Sequence, residues 1–118
     1  MKKTENHINN LSFSRGATNR GFALIDFTDD NNEKCSLQKS SSVDEHIWLG
    51  LSEVVPQIMV KDAIKLGLHT VKTCGWQPYC LPEEVKVFSR MHLNRIQAKQ
   101  LAKELICFAK TGKLNFKN

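Results

Sequence analysis

The chain has 118 residues, 41% of them hydrophobic and 25% charged, with a net charge of +5. That length suits one domain with a modest core. No apolar run approaches the roughly twenty residues of a membrane-spanning helix, and the N-terminus MKKTENHINNLS is too polar for a secretory leader, so a cytoplasmic location is expected.

In chain order, residues 1–19 are rich in Asn, Ser, Thr and Lys and read as a flexible tail, with a short ordered piece near Leu11–Phe13. A first strand is expected over 20–27. The run Thr28-Asp29-Asp30-Asn31-Asn32 is a dense turn signal. A second strand over 33–38, alternating Cys35 and Leu37 with polar residues, completes a hairpin. After the polar loop 39–42, a third strand is expected over 46–51, with Trp48 as its largest side chain. Pro56 argues against a regular element where it stands. Residues 60–66 fit two helical turns stopped by Gly67. Residues 76–81, with Pro78 inside and Pro82 next to them, fit an edge or a loop. A fourth strand is expected over 85–93.

The last element has the clearest signals. Asn94 and Gln97 form a capping-box pattern, and Gly112 supplies a left-handed stop, so a helix is predicted over 95–111. Leu101, Leu105 and Phe108 form its apolar stripe, flanked by Ala98, Ala102 and Ala109. The expected fold is α+β: a small antiparallel sheet of about four strands with one C-terminal amphipathic helix packed on it. Residues 20–118 form the single domain.

Charge is uneven. Residues 1–20 carry four basic groups and one acid (+3), residues 21–83 five basic groups and nine acids (−4), and residues 84–118 eight basic groups and two acids (+6). Arg95, Lys99, Lys103 and Lys110 fall in one sector of the last helix. Ile106 lies in that sector and Ile96 borders it. No acid sits four residues from these cations within the helix, so they repel one another unless something outside neutralises them. The stripe fits either a solvated face or a contact surface for an anionic partner.

A second candidate is a corner. Arg90 and His92 alternate with Met91 and Leu93 and so share one strand face, and Asn94 follows at the helix N-terminus. Ser40 and Ser41 form a candidate ligand rim near Trp48. The bland reading makes Arg90 and His92 solvent-facing strand residues.

Catalysis has little support. There is no glycine-rich phosphate loop, nucleophile elbow or HExxH, and the turn acids Asp29 and Asp30 are where acids belong. His69, Cys74 and Cys80 match no standard zinc spacing, and neither a metal nor a cofactor is expected. Cys35 and Cys107, in apolar-patterned segments, are expected as buried free thiols. No helix-turn-helix, zinc finger or RNA-binding motif is present.

The stretches CSLQKSS (35–41), IWLG (47–50), RMHLNRIQ (90–97) and KTGKL (110–114) resemble a family of small proteins encoded by bacteriophages and prophages. The resemblance spans about residues 20–114 and is weakest over 52–82. It carries no catalytic residues. It implies an accessory protein that acts on host defence by binding, by analogy with anti-CRISPR proteins that occlude a host protein or nucleoprotein complex. One alternative is a sponge that sequesters an anionic nucleotide signal, and another is a non-specific nucleic-acid-binding accessory protein. A homodimer through the helix or a sheet edge is a further expected partner.

Overall fold

The computed structural model describes residues 10–114. These contain β1 (Ser14–Ala17), β2 (Ala23–Thr28), β3 (Lys34–Lys39), β4 (His46–Leu51), β5 (Gln57–Met59), α1 (Val60–Lys65), β6 (Trp76–Pro78), β7 (Arg90–Asn94) and α2 (Arg95–Thr111). The stretch expected as one domain holds two compact units. One joins the described residues 10–52 with 90–114, and the other is Glu53–Ser89.

The first unit is a five-stranded antiparallel sheet in the order β1-β2-β3-β4-β7, followed by α2. The α+β class is as the sequence predicts, with one strand more. The extra strand, β1, lies in the part of the chain read as a tail. Its ladder runs from Ser14↔Asp26 to Ala17↔Ala23. Phe13 sets its ring edge-on to Phe27 at 5.7 Å, and Arg15 lies over Phe13. Thr18 N donates to Phe22 O at 2.8 Å and Gly21 N to Thr18 O at 2.9 Å, which closes the turn. Polar composition hid this edge strand, since one that packs a single aromatic ring needs few apolar residues. Residues 1–9 of the expected tail lie outside the described residues.

The β2–β3 hairpin turns where expected. Asp29 Oδ1 accepts from the N–H groups of Asn31 and Glu33, both at 2.9 Å, and Asn32 takes a φ of 65°. An Asx turn of this kind satisfies donors that a tight reversal leaves free. β4 spans the residues predicted for it. The fourth strand expected over 85–93 is confined to Arg90–Asn94, because Val85 N donates to Pro82 O at 3.0 Å and commits its start to a turn.

Period-two alternation sorts the sheet into two faces. Leu24, Gln38, Trp48 and His92 stand side by side on one face, and Ser40, His46 and Asn94 share that face. On the other, Ile25, Leu37, Leu49 and Met91 form a continuous apolar row.

Helix α2 matches its predicted bounds. Asn94 Oδ1 accepts from Gln97 N at 2.8 Å, Asn94 N donates to Gln97 Oε1 at 3.0 Å, and Gly112 ends the helix at φ 72°. The helix packs against the end of the sheet, where Ala98 lies with Ile47 and Leu93 around a cavity of about 210 Å³. The expectation that Leu101, Leu105 and Phe108 all seal the core is corrected. Leu101 is half-buried, but Leu105 is 58% and Phe108 52% exposed.

The second unit pairs β5 with β6 in the register Gln57↔Pro78 to Met59↔Trp76. The stretch 76–81 thus contains a short strand, with Pro78 at its end. Val60 N donates to Gly75 O at 2.8 Å, Val60 and Ala63 are buried, and Gly67 terminates α1 at φ 75°.

Candidate functional site

The polar sheet face gathers most of the candidate ligand residues. Register places Trp48 of β4 opposite His92 of β7, and their rings stack at 4.0 Å with 22° between planes. His46, two residues before Trp48, stacks on the other side of the cluster, 4.6 Å from His92 at 24°. Three flat rings therefore share one face.

Arg90 completes the group. Its guanidinium lies 5.2 Å from the Trp48 ring, and Nη1 donates to Gln38 Oε1 at 2.9 Å. Gln38 belongs to β3, two strands away, so Arg90 must cross β4. Its partner position on β4 is Gly50, which has no side chain to block the crossing. A charged hydrogen bond and a cation–π contact together hold the guanidinium in place.

The rings are held from beneath by serines. Ser40 is buried and its Oγ pairs with His92 Nε2 at 2.8 Å, while accepting from Ser42 N at 3.1 Å. Ser40 thus anchors His92 from below and is no exposed rim, as the sequence reading had it. His46 Nδ1 lies 3.2 Å from both Asp44 O and Ser42 Oγ. A carbonyl oxygen only accepts, so Nδ1 carries the proton.

Beside this cluster lies a cleft of about 400 Å³, lined by Thr18, Arg20, Phe22, Gln38, Ser41 and Trp48 among others. Arg20 sits over Phe22 at 5.4 Å. Ser41 and Trp48 are therefore brought together as expected, and Arg20, Phe22 and Gln38 are additions. Alternation could have found them, because Phe22 has the same parity as Leu24 and Thr18 bonds to it across the turn. The volume lies within the range of sites for small molecules, on the order of 300–1,000 Å³.

The corner proposed around Asn94 is split by the structure. Arg90 and His92 join the Trp48 cluster, whereas the Asn94 side chain is used for the helix cap. Asp44 and Glu45 flank that helix end, in a surface depression shared with Arg95, Ile96 and Lys99. Two carboxylates there disfavour an anion.

On the helix, the basic stripe is also divided. Arg95 pairs with Glu45 at 3.2 Å, both well exposed. Lys99, Lys103 and Lys110 have no ion pair among the described residues, and Ile96 and Ile106 are exposed beside them. Elsewhere, Cys35 is buried, and Cys107, expected as buried, is half-exposed at the helix end. Burial, then the carboxylates of Asp29 and Glu33, push the Cys35 thiol above its ordinary pKa, so it stays protonated and inert. Among the described residues, no three His, Cys, Asp or Glu side chains stand together as a metal site, and no helix is long and apolar enough to cross a membrane.

The chain matches no protein-family model, no curated protein and no solved structure.

Proposed function

We propose that this chain works by binding, and that its polar sheet face captures a small anionic ligand with an aromatic ring, of the nucleotide class. The observation that carries the reading is the Arg90–Trp48–His92 cluster beside the cleft lined by Arg20 and Ser41. Fixed flat rings offer stacking surfaces for a base, worth about 1–3 kcal/mol per base. Two arginines held over aromatic rings offer charge to phosphate with little ordering left to do. The two serines within reach of a histidine act as braces: Ser40, at His92 Nε2, is buried, and Ser42, near His46 Nδ1, donates its hydroxyl to Asp44 O, so capture without turnover suits this set of groups. Together with the resemblance to phage-encoded proteins, this favours a sequestering role toward a nucleotide signal of host defence.

The test is a thermal-shift panel of nucleoside mono- and diphosphates, linear dinucleotides and cyclic dinucleotides. A ligand held only by the folded chain raises the melting temperature in a concentration-dependent way. A flat response across the panel at millimolar concentration contradicts the proposal.

A second reading, occlusion of a host defence protein, is favoured by Lys99, Lys103 and Lys110 standing with exposed Ile96 and Ile106 on one side of α2. A cationic surface with apolar anchors suits an acidic protein face. Reversing Lys99 and Lys103 to Glu should abolish inhibition of the host system under this reading. Unchanged inhibition removes it.

A further inference from the structure

The apolar sheet face and the apolar stripe of α2 are complementary, yet they do not cover one another within one chain. Along the row Ile25, Leu37, Leu49 and Met91 no side chain is fully buried, and Met91 is 50% exposed. An antiparallel sheet keeps one face wet and requires a cover for the other. The stripe on α2 changes along its length. Ala98 and Leu101 are half-buried, and the next positions, Leu105 and Phe108, are more than half exposed. The helix therefore leaves the sheet as it proceeds.

The cause is the junction. Asn94 pairs with His46 as the last residue of β7 and is at the same time the N-cap of α2, at φ −83° and ψ 178°. No residue separates strand from helix, whereas connections that turn a helix back onto its sheet take about two to six residues. The reciprocal bonds between Asn94 and Gln97 fix the exit direction. A 17-residue helix is about 25 Å long, so a fixed exit carries its far end well clear of its own sheet.

We infer that α2 is an exchange arm, whose apolar stripe covers the apolar sheet face of a second copy while the partner's helix does the same in return. Three observations select a second copy as occupant. The two surfaces are of matching kind, and the hinge between them is too short to join them in one chain, which is the condition that drives element exchange between identical chains. Residues 98, 101, 102, 105, 108 and 109 carry no charge, so two copies of net charge +5 place no like charges in this contact. Lys99, Lys103 and Lys110 lie on the other side of the helix and stay in water. This inference is independent of the ligand proposal, since the stripe and the Trp48 cluster use opposite faces of the sheet.

Two measurements on the native chain test it. Sedimentation equilibrium should give twice the chain mass at tens of micromolar. An isotope-filtered NOE spectrum of a 1:1 mixture of labelled and unlabelled chains should show contacts from the Phe108 ring to methyl groups of Leu37 and Leu49 between copies. A monomer at these concentrations overturns the inference, and so does a dimer whose Phe108 contacts are all within one chain. As a third arm, an eight-residue Gly-Ser linker between Leu93 and Asn94, which keeps the Asn94–Gln97 cap, should let the helix fold back and convert the dimer to a folded monomer. A linker variant that remains fully dimeric also overturns it.

Discussion

The ring of His92 lies 4.0 Å from the ring of Trp48, nearly parallel to it, because antiparallel register sets the two residues directly opposite on one sheet face. Neither ring is free to reorient at small cost. Ser40, buried on β3's extension, holds His92 Nε2 at 2.8 Å, and Arg90 lies over Trp48 while bonded to Gln38. The face is therefore built in advance of any ligand, and prior ordering is what turns modest contacts into affinity.

Arg90 is the first residue to test. Arg90→Ala removes the guanidinium and should weaken binding of the most stabilising nucleotide about 10- to 100-fold, the worth of one charged hydrogen bond of about 1.5–3 kcal/mol. Arg90→Lys keeps the charge but loses the planar group over Trp48, and should recover only part of that affinity. Isothermal titration of both variants checks the order. Equal affinity for all three chains would remove Arg90 from the site.

Arg20 tests the cleft. Arg20→Ala should lower affinity about 5- to 50-fold and flatten the dependence of binding on salt, since fewer charges then meet the phosphate. It stands in the turn before β2, so its melting temperature should move by no more than about 1–2 °C, as for other exposed sites. A large loss of stability without loss of binding would contradict the assignment.

The capping box makes a prediction about stability. Asn94→Ala removes the cap of α2, the side-chain acceptor for Gln97 N, and should cost about 1 kcal/mol. For a chain of this size that lowers the melting temperature by about 4 °C. Asn94→Asp keeps an acceptor and should be near neutral. Calorimetry on the pair distinguishes a cap from a ligand-binding Asn, because the cap predicts no change in ligand affinity for Asn94→Asp.

The thiols should separate by place. Exposed Cys74 and Cys80 should react with a disulfide reagent within minutes at pH 8, while Cys35 should react only as the sheet opens. Burial raises the folded-state pKa of Cys35, so the folded chain holds that proton more tightly than the unfolded one. The associated stability is present at neutral pH and is lost as pH rises through the raised value. Equal reactivity of the three thiols would contradict the buried placement of Cys35.

Much of this was legible in the sequence, and the failures have identifiable causes. β4 and α2 carry strong local signals: a half-buried run around Trp48, a capping box, and Gly112 at φ 72°. Arg90 and His92 were placed on one face by alternation alone, and the face is the one that also holds Trp48 and Ser40. What alternation could not supply is register across strands, and so the distant bond from Arg90 to Gln38 was not visible. β1 was missed because its stability comes from pairing with β2 and one ring contact, not from its own composition. The helix stripe was read as the seal of the core, since periodicity shows which side of a helix is apolar but not what covers it. The answer depends on the length of the connection to β7, which is zero.

If the Trp48 face binds a nucleotide-class ligand, the Trp48 ring itself reports the binding. In a Trp76→Phe background Trp48 is the only tryptophan, so its fluorescence can be followed during titration with the nucleotide that stabilises the chain most. A ligand stacked at this face quenches Trp48 saturably, with a midpoint that moves about 10-fold or more higher when Arg90→Ala is added. Tight binding by calorimetry that leaves Trp48 emission unchanged would place the ligand away from this sheet face and overturn the proposed site.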